Sequence, residues 1–431
     1  MPDSTKLSNP LFSAHSIRGI PPSEIMIPYP SIRSLLESQV SRYGDKTFVV
    51  FYSREGNKSE LTYHQFFTRV SQAANFLKSR GVEYGDRISI LACRNINTLI
   101  QYFAVWMGAG VSLPLQGKNK KISHFFIQQS QASSPFPEIN SLFIENIHGQ
   151  NSEFEIGKKS KLDDDVLIVF KEDGRTNWRG IVLSHYNVLV DAMAIADWHG
   201  LTDDQSVLCG VQLNDVTGIV GCVMSALYAG CRIVLNDENH SESLLDLVDK
   251  ERVQVVFVDA QQLTELSKSS KDSTEFKLSS LRHFICSHRS LTTRTITDIH
   301  QKFGIRVIPG FQMAEATCFS SFLPASLSDS EFLTWMSTDD GLPVGAALHP
   351  TEMAILDPGG QQLLEGKTGQ IVSRGHNVMK GYLNDEEASA EVFKFGWLNS
   401  GEEGFYQLGN DGNHYFTVTG SRYSMRCLMD G

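Results

Sequence analysis

The sequence has no excess of basic residues, no long apolar run and no paired-cysteine motif. Its 431 residues carry 38 lysines and arginines against 49 aspartates and glutamates, a formal net charge of −11. Because nonspecific nucleic-acid binding needs a basic face, this balance argues against a nucleic-acid partner. No window approaches the roughly 18 consecutive apolar residues of a spanning helix, so we expect no membrane span.

Cysteines are few, and their spacing excludes the common metal and disulfide patterns. The seven cysteines form no CxxC pair, and most stand in apolar runs. Buried free thiols in a reducing compartment are therefore expected. The N-terminus lacks a basic-then-apolar signal pattern. Together these features predict a cytoplasmic, or at least intracellular, protein.

Alternating strand and helix patterns dominate the rest of the chain. Short apolar runs separated by amphipathic stretches predict an α/β fold with mostly parallel, doubly wound sheets. One weaker stretch, Ile122–Gln131, is predicted to be a helix. After about residue 330, glycine-punctuated β pieces predict a small β-barrel-like subdomain. The predicted divisions are an extended lead-in (1–30), two α/β subdomains (31–164 and 165–330), the β subdomain (331–418) and a hinge (419–431).

One loop between two apolar runs has the position of a phosphate site. Val166–Phe170 enters it and Gly180–Leu183 leaves it, ahead of a predicted helix. In parallel sheets, ligands lie outside the carboxyl ends of the strands, so the loops after Phe170, Ser287 and Ile308 should converge on one crevice. The loop nevertheless contains two carboxylates, Glu172 and Asp173, which would repel phosphate.

Four stretches in a fixed order carry a family resemblance. They are VLIVFKEDGRTNWRGIVLSHYNVL at 166–189, GIRVIPGFQMAEAT at 304–317, GQIVSRGHNVMKGYLNDEEASAEVFKFGWLNSGEEGFY at 369–406 and YFTVTGSRYSMRC at 415–427. Together they resemble the large N-terminal domain of the adenylate-forming superfamily, which includes acyl-CoA synthetases, luciferases and peptide-synthetase adenylation domains. The resemblance implies two doubly wound α/β subdomains and a β subdomain.

The resemblance also implies an activity and its cofactors. Such enzymes join a carboxylic acid to ATP with Mg²⁺, release pyrophosphate and pass the acyl group to the thiol of CoA or a carrier protein. A fatty or other acyl acid is the expected substrate, and an acyl carrier protein is a further partner that the resemblance allows. The catalytic lysine belongs to a C-terminal lid beyond residue 431. A natural absence of that lid and a chain cut at the hinge both stay open.

The resemblance assigns roles residue by residue. Glu315 is the Mg²⁺ ligand and, with Arg179 in the phosphate-loop lysine's place, a catalytic group. The nucleotide contacts are Thr176, Arg175, His288, Phe311 (on adenine), Gln312, Glu402 (on ribose) and Arg422, and the substrate pocket includes Asp215 and Gly310.

Several of these positions depart from the family pattern. His288 stands where relatives have a glycine-rich adenine turn, Glu402 replaces a shorter aspartate, and Asp215 replaces a histidine. The phosphate loop is also altered. Two interpretations therefore remain: an active acid-activating ligase, or a catalytically degenerate member that binds a ligand or a protein.

Overall fold

A computed structural model provides the structure of the chain. It describes residues 10–21, 24, 26–114, 124–127, 141–147, 149–154, 158–172, 178–237, 241–270, 274–338 and 340–421.

Strands and helices alternate through most of these residues. The strands are β1 (Thr47–Tyr52), β2 (Lys58–Thr62), β3 (Arg87–Ile90), β4 (Val111–Pro114), β5 (His124–Ile127), β6 (Ser141–Phe143), β7 (Asp165–Glu172), β8 (Trp178–Ser184), β9 (Ser206–Cys209), β10 (Arg232–Asn236), β11 (Val255–Val258), β12 (His283–Ser287), β13 (Arg306–Gln312), β14 (Phe319–Phe322), β15 (Leu342–Ala347), β16 (Thr351–Leu356), β17 (Gly369–Gly375), β18 (Gly381–Tyr382), β19 (Leu398–Leu408) and β20 (His414–Ser421).

The α-helices are mostly short. They are α1 (Pro10–Ala14), α2 (Ile32–Tyr43), α3 (Tyr63–Ser79), α4 (Ile96–Met107), α5 (His185–Trp198), α6 (Ser225–Ala229), α7 (Ser241–Glu251), α8 (Ala260–Lys268), α9 (Thr293–Phe303), α10 (Asp329–Met336) and α11 (Glu386–Val392). A π-helix, Thr217–Met224, runs directly into α6.

The chain divides into two compact units. The first unit contains Ile27–Met193 and Leu201–Glu238. Within it, β9, β10 and β1 are parallel neighbours, and β2 is antiparallel to β1. A second sheet has the order β8-β7-β4-β3-β5-β6, in which only the β7–β8 pair is antiparallel.

The second unit contains Met1–Met26, Ala194–Gly200 and Asn239–Gly431. Its strands follow the order β16-β17-β19-β20-β15-β14-β13-β12-β11. The β11, β12 and β13 strands are parallel, whereas the pairs from β13 to β16 are antiparallel. This arrangement confirms the predicted α/β class, and the C-terminal strands described form an open ladder rather than a closed barrel. The predicted subdomain boundaries remain predictions.

Local signals in the sequence explain the best-defined helices. Ser31 caps α2 and Thr62 caps α3, each accepting a hydrogen bond from a backbone N–H of the first turn. Ser184 similarly accepts from the backbone N of Asn187 at the start of α5, at 3.2 Å. The α4 helix begins directly after its Asn95 cap, and the apolar residues of the sequence predict a helix over the same span, Ile96–Met107.

The helix predicted at Ile122–Gln131 is wrong in the part that the structure describes. His124–Ile127 is the strand β5, which pairs in parallel with β3 on one side and with β6 on the other. Hydrogen bonds to two neighbouring strands outweigh the weak local preference of four residues.

Buried apolar side chains form the core of each unit. Most of the cysteines described belong to this core. The six cysteines of the described part are free thiols, as predicted; Cys93 is half-buried and the other five are buried. Cys427 lies outside the described residues. None of the helices described combines the length and the apolar character needed to cross a membrane.

Candidate functional site

A cleft of about 660 Å³ lies beyond the carboxyl end of β12. Its walls belong to the second unit and come from the turn after β12, the segment before β15, and strands β19 and β20. The lining residues are His288, Arg289, Ser290, Leu291, Thr292, Thr293, Thr338, Gly341, Leu342, Glu402, Val418, Thr419 and Gly420. The position agrees with the rule that α/β sheets bind ligands beyond their strand ends.

His288 forms the inner wall of this cleft. Its backbone N donates to Gly310 O at 2.9 Å, and its ring nitrogen Nδ1 accepts from the backbone N of Gln312 at 3.2 Å. The imidazole lies against the Phe311 ring, with centroids 4.7 Å apart and planes inclined by 22°. His288 is 7% exposed and Phe311 only 1% exposed. The face of Phe311 is therefore covered by an aromatic ring of the protein itself.

Glu402 faces the other ring nitrogen of His288. Glu402 Oε1 lies 3.9 Å from His288 Nε2, too far for a hydrogen bond but close enough for an electrostatic attraction. Burial lowers the pKa of His288, while the neighbouring Glu402 opposes that shift. The buried imidazole is thus neutral near pH 7. Because Nδ1 accepts from Gln312, we assign the ring proton to Nε2.

Glu315 lies in a 3₁₀ turn, Ala314–Ala316, just after β13. It is 4% exposed. Its Oε1 accepts a hydrogen bond from the Tyr382 hydroxyl at 3.2 Å, and its backbone O accepts from Met379 N at 2.8 Å. Both the backbone and the carboxylate of Glu315 are therefore held by the segment before α11.

Asn377 fixes the same turn from a neighbouring position. Its Nδ2 donates to Ala316 O at 3.2 Å, and its Oδ1 accepts from the Thr351 hydroxyl at 2.9 Å. Asn377 and Tyr382 were not assigned roles from the sequence, because their contacts with the Glu315 turn span some 60 residues of chain. Their place in the stretch 369–406, which resembles the family, was the only signal in the sequence.

Gly310 occupies a position where β13 packs closely on β14. A Cβ atom there would lie 2.4 Å from Cε1 of Phe322, so any larger residue would clash. Its carbonyl also receives the His288 N–H. Close packing is therefore enough to explain why a glycine occupies this position. The role of Gly310 in a substrate pocket stays a prediction.

Two further predicted residues belong to the first unit. Arg179 is half-buried in β8, opposite Lys171 of β7. Asp215 is half-buried, and its carboxylate accepts from the backbone N of Thr217 at 2.8 Å, at the start of the π-helix. Thr176, Arg175 and Arg422 lie outside the described residues.

The structure thus places His288 and Glu402 on the wall of one cleft, with Phe311 and Gln312 behind His288. Glu315 follows three residues after Gln312 and is buried. A family model described as "AMP-binding enzyme" matches residues 36–129 and 178–383, more than half of the chain. The chain belongs to the AMP-binding enzyme family. The match leaves out residues 130–177, which include most of the predicted phosphate loop.

Relatives of this AMP-binding family member include acyl-CoA ligases. A long-chain-fatty-acid–CoA ligase of Bacillus subtilis is 22% identical, over 90% of this chain and 78% of the relative. A feruloyl-CoA synthase of an Amycolatopsis species is 26% identical, over 83% of this chain and 73% of the relative. Acid–CoA ligases are thus similar to this chain along most of its length.

Solved structures confirm the adenylate-forming fold. McyG A-PCP complexed with phenylalanyl-adenylate superposes with a TM-score of 0.82 at 18% identity, covering 92% of this chain and 67% of that chain. ATP-bound MatB from Rhodopseudomonas palustris gives a TM-score of 0.77 at 20% identity, covering 90% and 78% respectively.

The residues present fit the Mg²⁺ ion of the expected Mg²⁺–ATP better than they fit its adenine base. Glu315 offers a fixed carboxylate, a ligand type that Mg²⁺ prefers. Among the described residues no group of three or more metal-ligating side chains occurs. In general, Mg²⁺ is held by one or two carboxylates, with phosphate oxygens and water as its other ligands. Adenine, which is expected to stack on Phe311, does not fit this arrangement because the ring of His288 already covers Phe311.

Proposed function

We propose that this protein activates a carboxylic acid with ATP. The acid's oxygen attacks the α-phosphorus, pyrophosphate leaves, and an acyl-adenylate forms. A thiol of CoA or a carrier protein then takes the acyl group and AMP leaves. Membership of the AMP-binding family supports this proposal, as do the printed activities of the ligases to which the chain is similar.

The geometry of Glu315 carries the proposal. A carboxylate that is 4% exposed is costly to keep in a fold unless its partners are provided. Here the Tyr382 hydroxyl donates to the Glu315 carboxylate, and the Met379 backbone N–H fixes the Glu315 main chain. An oriented carboxylate is suited to holding a metal ion on phosphate oxygens.

The substrate is proposed only as a class. The similar ligases are named for a long-chain fatty acid and for ferulic acid, two acids that share the carboxylate and an apolar body. We therefore propose a fatty or other apolar acyl acid. An acyl carrier protein remains a possible acceptor in this proposal, beside CoA.

A second candidate function is nucleotide-independent binding of a ligand or a partner protein. One observation favours it: the ring of His288 covers Phe311, the residue that would otherwise stack on adenine. In this alternative, the fold is retained while nucleotide chemistry is lost.

Exchange of labelled pyrophosphate into ATP separates the two functions. The assay should contain the intact protein, Mg²⁺ and a panel of fatty, aromatic and short-chain acids. Acid-dependent exchange in the wild type, reduced at least a hundredfold in Glu315→Gln, is expected. Exchange that is absent with every acid would refute the ligase proposal and leave the second candidate.

The phosphate loop supplies an independent test. Glu172 is the exposed last residue of β7, and Asp173 follows it. Replacing two carboxylates near phosphate relieves a repulsion of about 1 kcal/mol or more, so Glu172→Ser with Asp173→Gly should tighten ATP binding about fivefold. Unchanged affinity by calorimetry would show that these carboxylates lie away from the phosphates.

A further inference from the structure

We propose that His288 is a built-in competitor of the nucleotide base. Its imidazole lies on the face of Phe311, and a purine must displace it before it stacks there. This inference rests on the proposed nucleotide site, but it concerns binding and not catalysis. It therefore holds or fails by a measurement that needs no acid and no turnover.

The first support is the completeness of the contact. The two rings are nearly parallel, with planes inclined by 22° and centroids 4.7 Å apart, and Phe311 is 1% exposed. A stacked ligand needs an open ring face. An imidazole is flat and aromatic like the five-membered half of a purine, so it satisfies this face in the same manner.

The second support is that His288 is held in place by polar contacts. Gln312 N donates to Nδ1 at 3.2 Å, and Nε2 points toward Glu402 at 3.9 Å. These contacts resist rotation of the ring out of the stack. Displacement must break one hydrogen bond and one ring contact, which weakens nucleotide binding.

The third support is the position of the cleft. His288 and Glu402 line it, while Phe311 does not. A nucleotide that enters the cleft therefore meets the outer side of His288 first. Truncating His288 would join the cleft to the Phe311 face and convert a covered ring into an open stacking platform.

Binding of AMP, measured by calorimetry without acid, tests this proposal. His288→Ala should bind AMP ten- to a hundredfold more tightly than the wild type. His288→Phe is the matched control, since it keeps a ring over Phe311 and should show no gain. In the double variant His288→Ala with Phe311→Ala the gain should disappear, because the stacking platform has been removed.

Three results would overturn the inference: AMP bound by His288→Ala no more tightly than by the wild type, a gain equally large in His288→Phe, or a gain that survives the loss of Phe311. Should His288→Ala not fold, as judged by its melting transition, His288→Ser carries the same test because its side chain is also too short to cover the ring. Pyrophosphate exchange that is absent from all variants, together with the expected gain in AMP affinity, would refute the ligase proposal and leave this inference intact.

Discussion

A buried pair of histidines in the second unit predicts a loss of stability in mild acid. His199 follows α5 and His283 begins β12, and both are almost inaccessible to solvent. His199 Nδ1 and His283 Nε2 are 3.1 Å apart, so one ring must donate to the other. Protonating either ring would place a charge in this buried site, which disfavours the protonated form.

The electrostatic surroundings strengthen this effect. Burial, with the nearby Arg282 and Arg306 guanidinium groups, lowers the pKa of His283 to about 3. Burial also lowers the pKa of His199 well below its ordinary value, with further contributions from His283 and Arg282. At pH 7.5 both rings are almost entirely neutral in the folded and unfolded states, so their titration has little effect on stability there.

As the pH falls through about 6.5, His283 and His199 become protonated in the unfolded chain but stay neutral in the folded chain. Stability therefore falls with decreasing pH, from the unfolded pKa of about 6.5 down toward the folded pKa of about 3. At pH 5.5, His283 alone should lower the free energy of unfolding by about 1.4 kcal/mol relative to pH 7.5. His283→Gln should remove this contribution while still offering a polar partner to His199.

Hydrogen exchange of peptides from β12 and β13, corrected for intrinsic rates, gives the local opening free energy at both pH values. His283→Gln is expected to be less stable than the wild type at pH 7.5 and to recover about 1.4 kcal/mol of that deficit at pH 5.5. His64→Gln, at an exposed position, is the control and should behave like the wild type. Equal acid sensitivity in the wild type and His283→Gln would refute the reasoning.

Three further substitutions test the contacts of the site. Tyr382→Phe removes the hydroxyl bonded to Glu315 and should lower the pyrophosphate-exchange rate about fivefold. Because the buried carboxylate then has one partner fewer, differential scanning fluorimetry should also show a lower melting temperature. Gly310→Ala should destabilise the unit by about 1–3 kcal/mol because its Cβ meets Phe322; urea unfolding should show part of the loss restored by Phe322→Leu. Asn377→Ala leaves buried partners unpaired and should cost about 2–3 kcal/mol in the same unfolding assay.

The predictable parts of the fold are those with strong local signals. Ser31, Thr62 and Asn95 cap helices whose apolar periodicity agrees with their packing, so the sequence itself carries the signals that predict these helices. Capping signals also stood at α8, where Asp259 is the N-cap and Gln262 the third helical residue, and at Ser328 before α10. Both helices were nevertheless missed, because fewer than ten residues give too short a periodic pattern to separate a helix from a turn.

Strands that owe their existence to distant partners were less predictable. His124–Ile127 becomes β5 through pairing with β3 and β6, and nothing in its own four residues requires a strand. The sequence predicts a helix at Gly218–Tyr228, and the π-helix at Thr217–Met224 overlaps its first part, but the wider winding could not be anticipated.

At the site, the sequence predicts which residues take part but not how their side chains are arranged. Motif order identified Phe311, Glu315 and Glu402 as candidates, and it noted that His288 would crowd the adenine turn. It could not show that the imidazole lies on Phe311 itself, since a side-chain rotamer depends on neighbours such as Gln312 and Glu402. The partnership of Tyr382 with Glu315 likewise depends on tertiary structure.

The segment that most resembles the family is also the weakest guide to activity. Arg374 donates to Glu352 at 2.8 Å and lies 4.1 Å from the centre of the Trp397 ring, so it joins β16, β17 and the segment before β19. These contacts, like those of Asn377, stabilise the unit whether or not a nucleotide binds. A chain that has lost nucleotide chemistry would still need them. The contacts of Tyr382 and Met379 with Glu315 bear on the proposed metal site, and they must be weighed against the ring of His288 over Phe311.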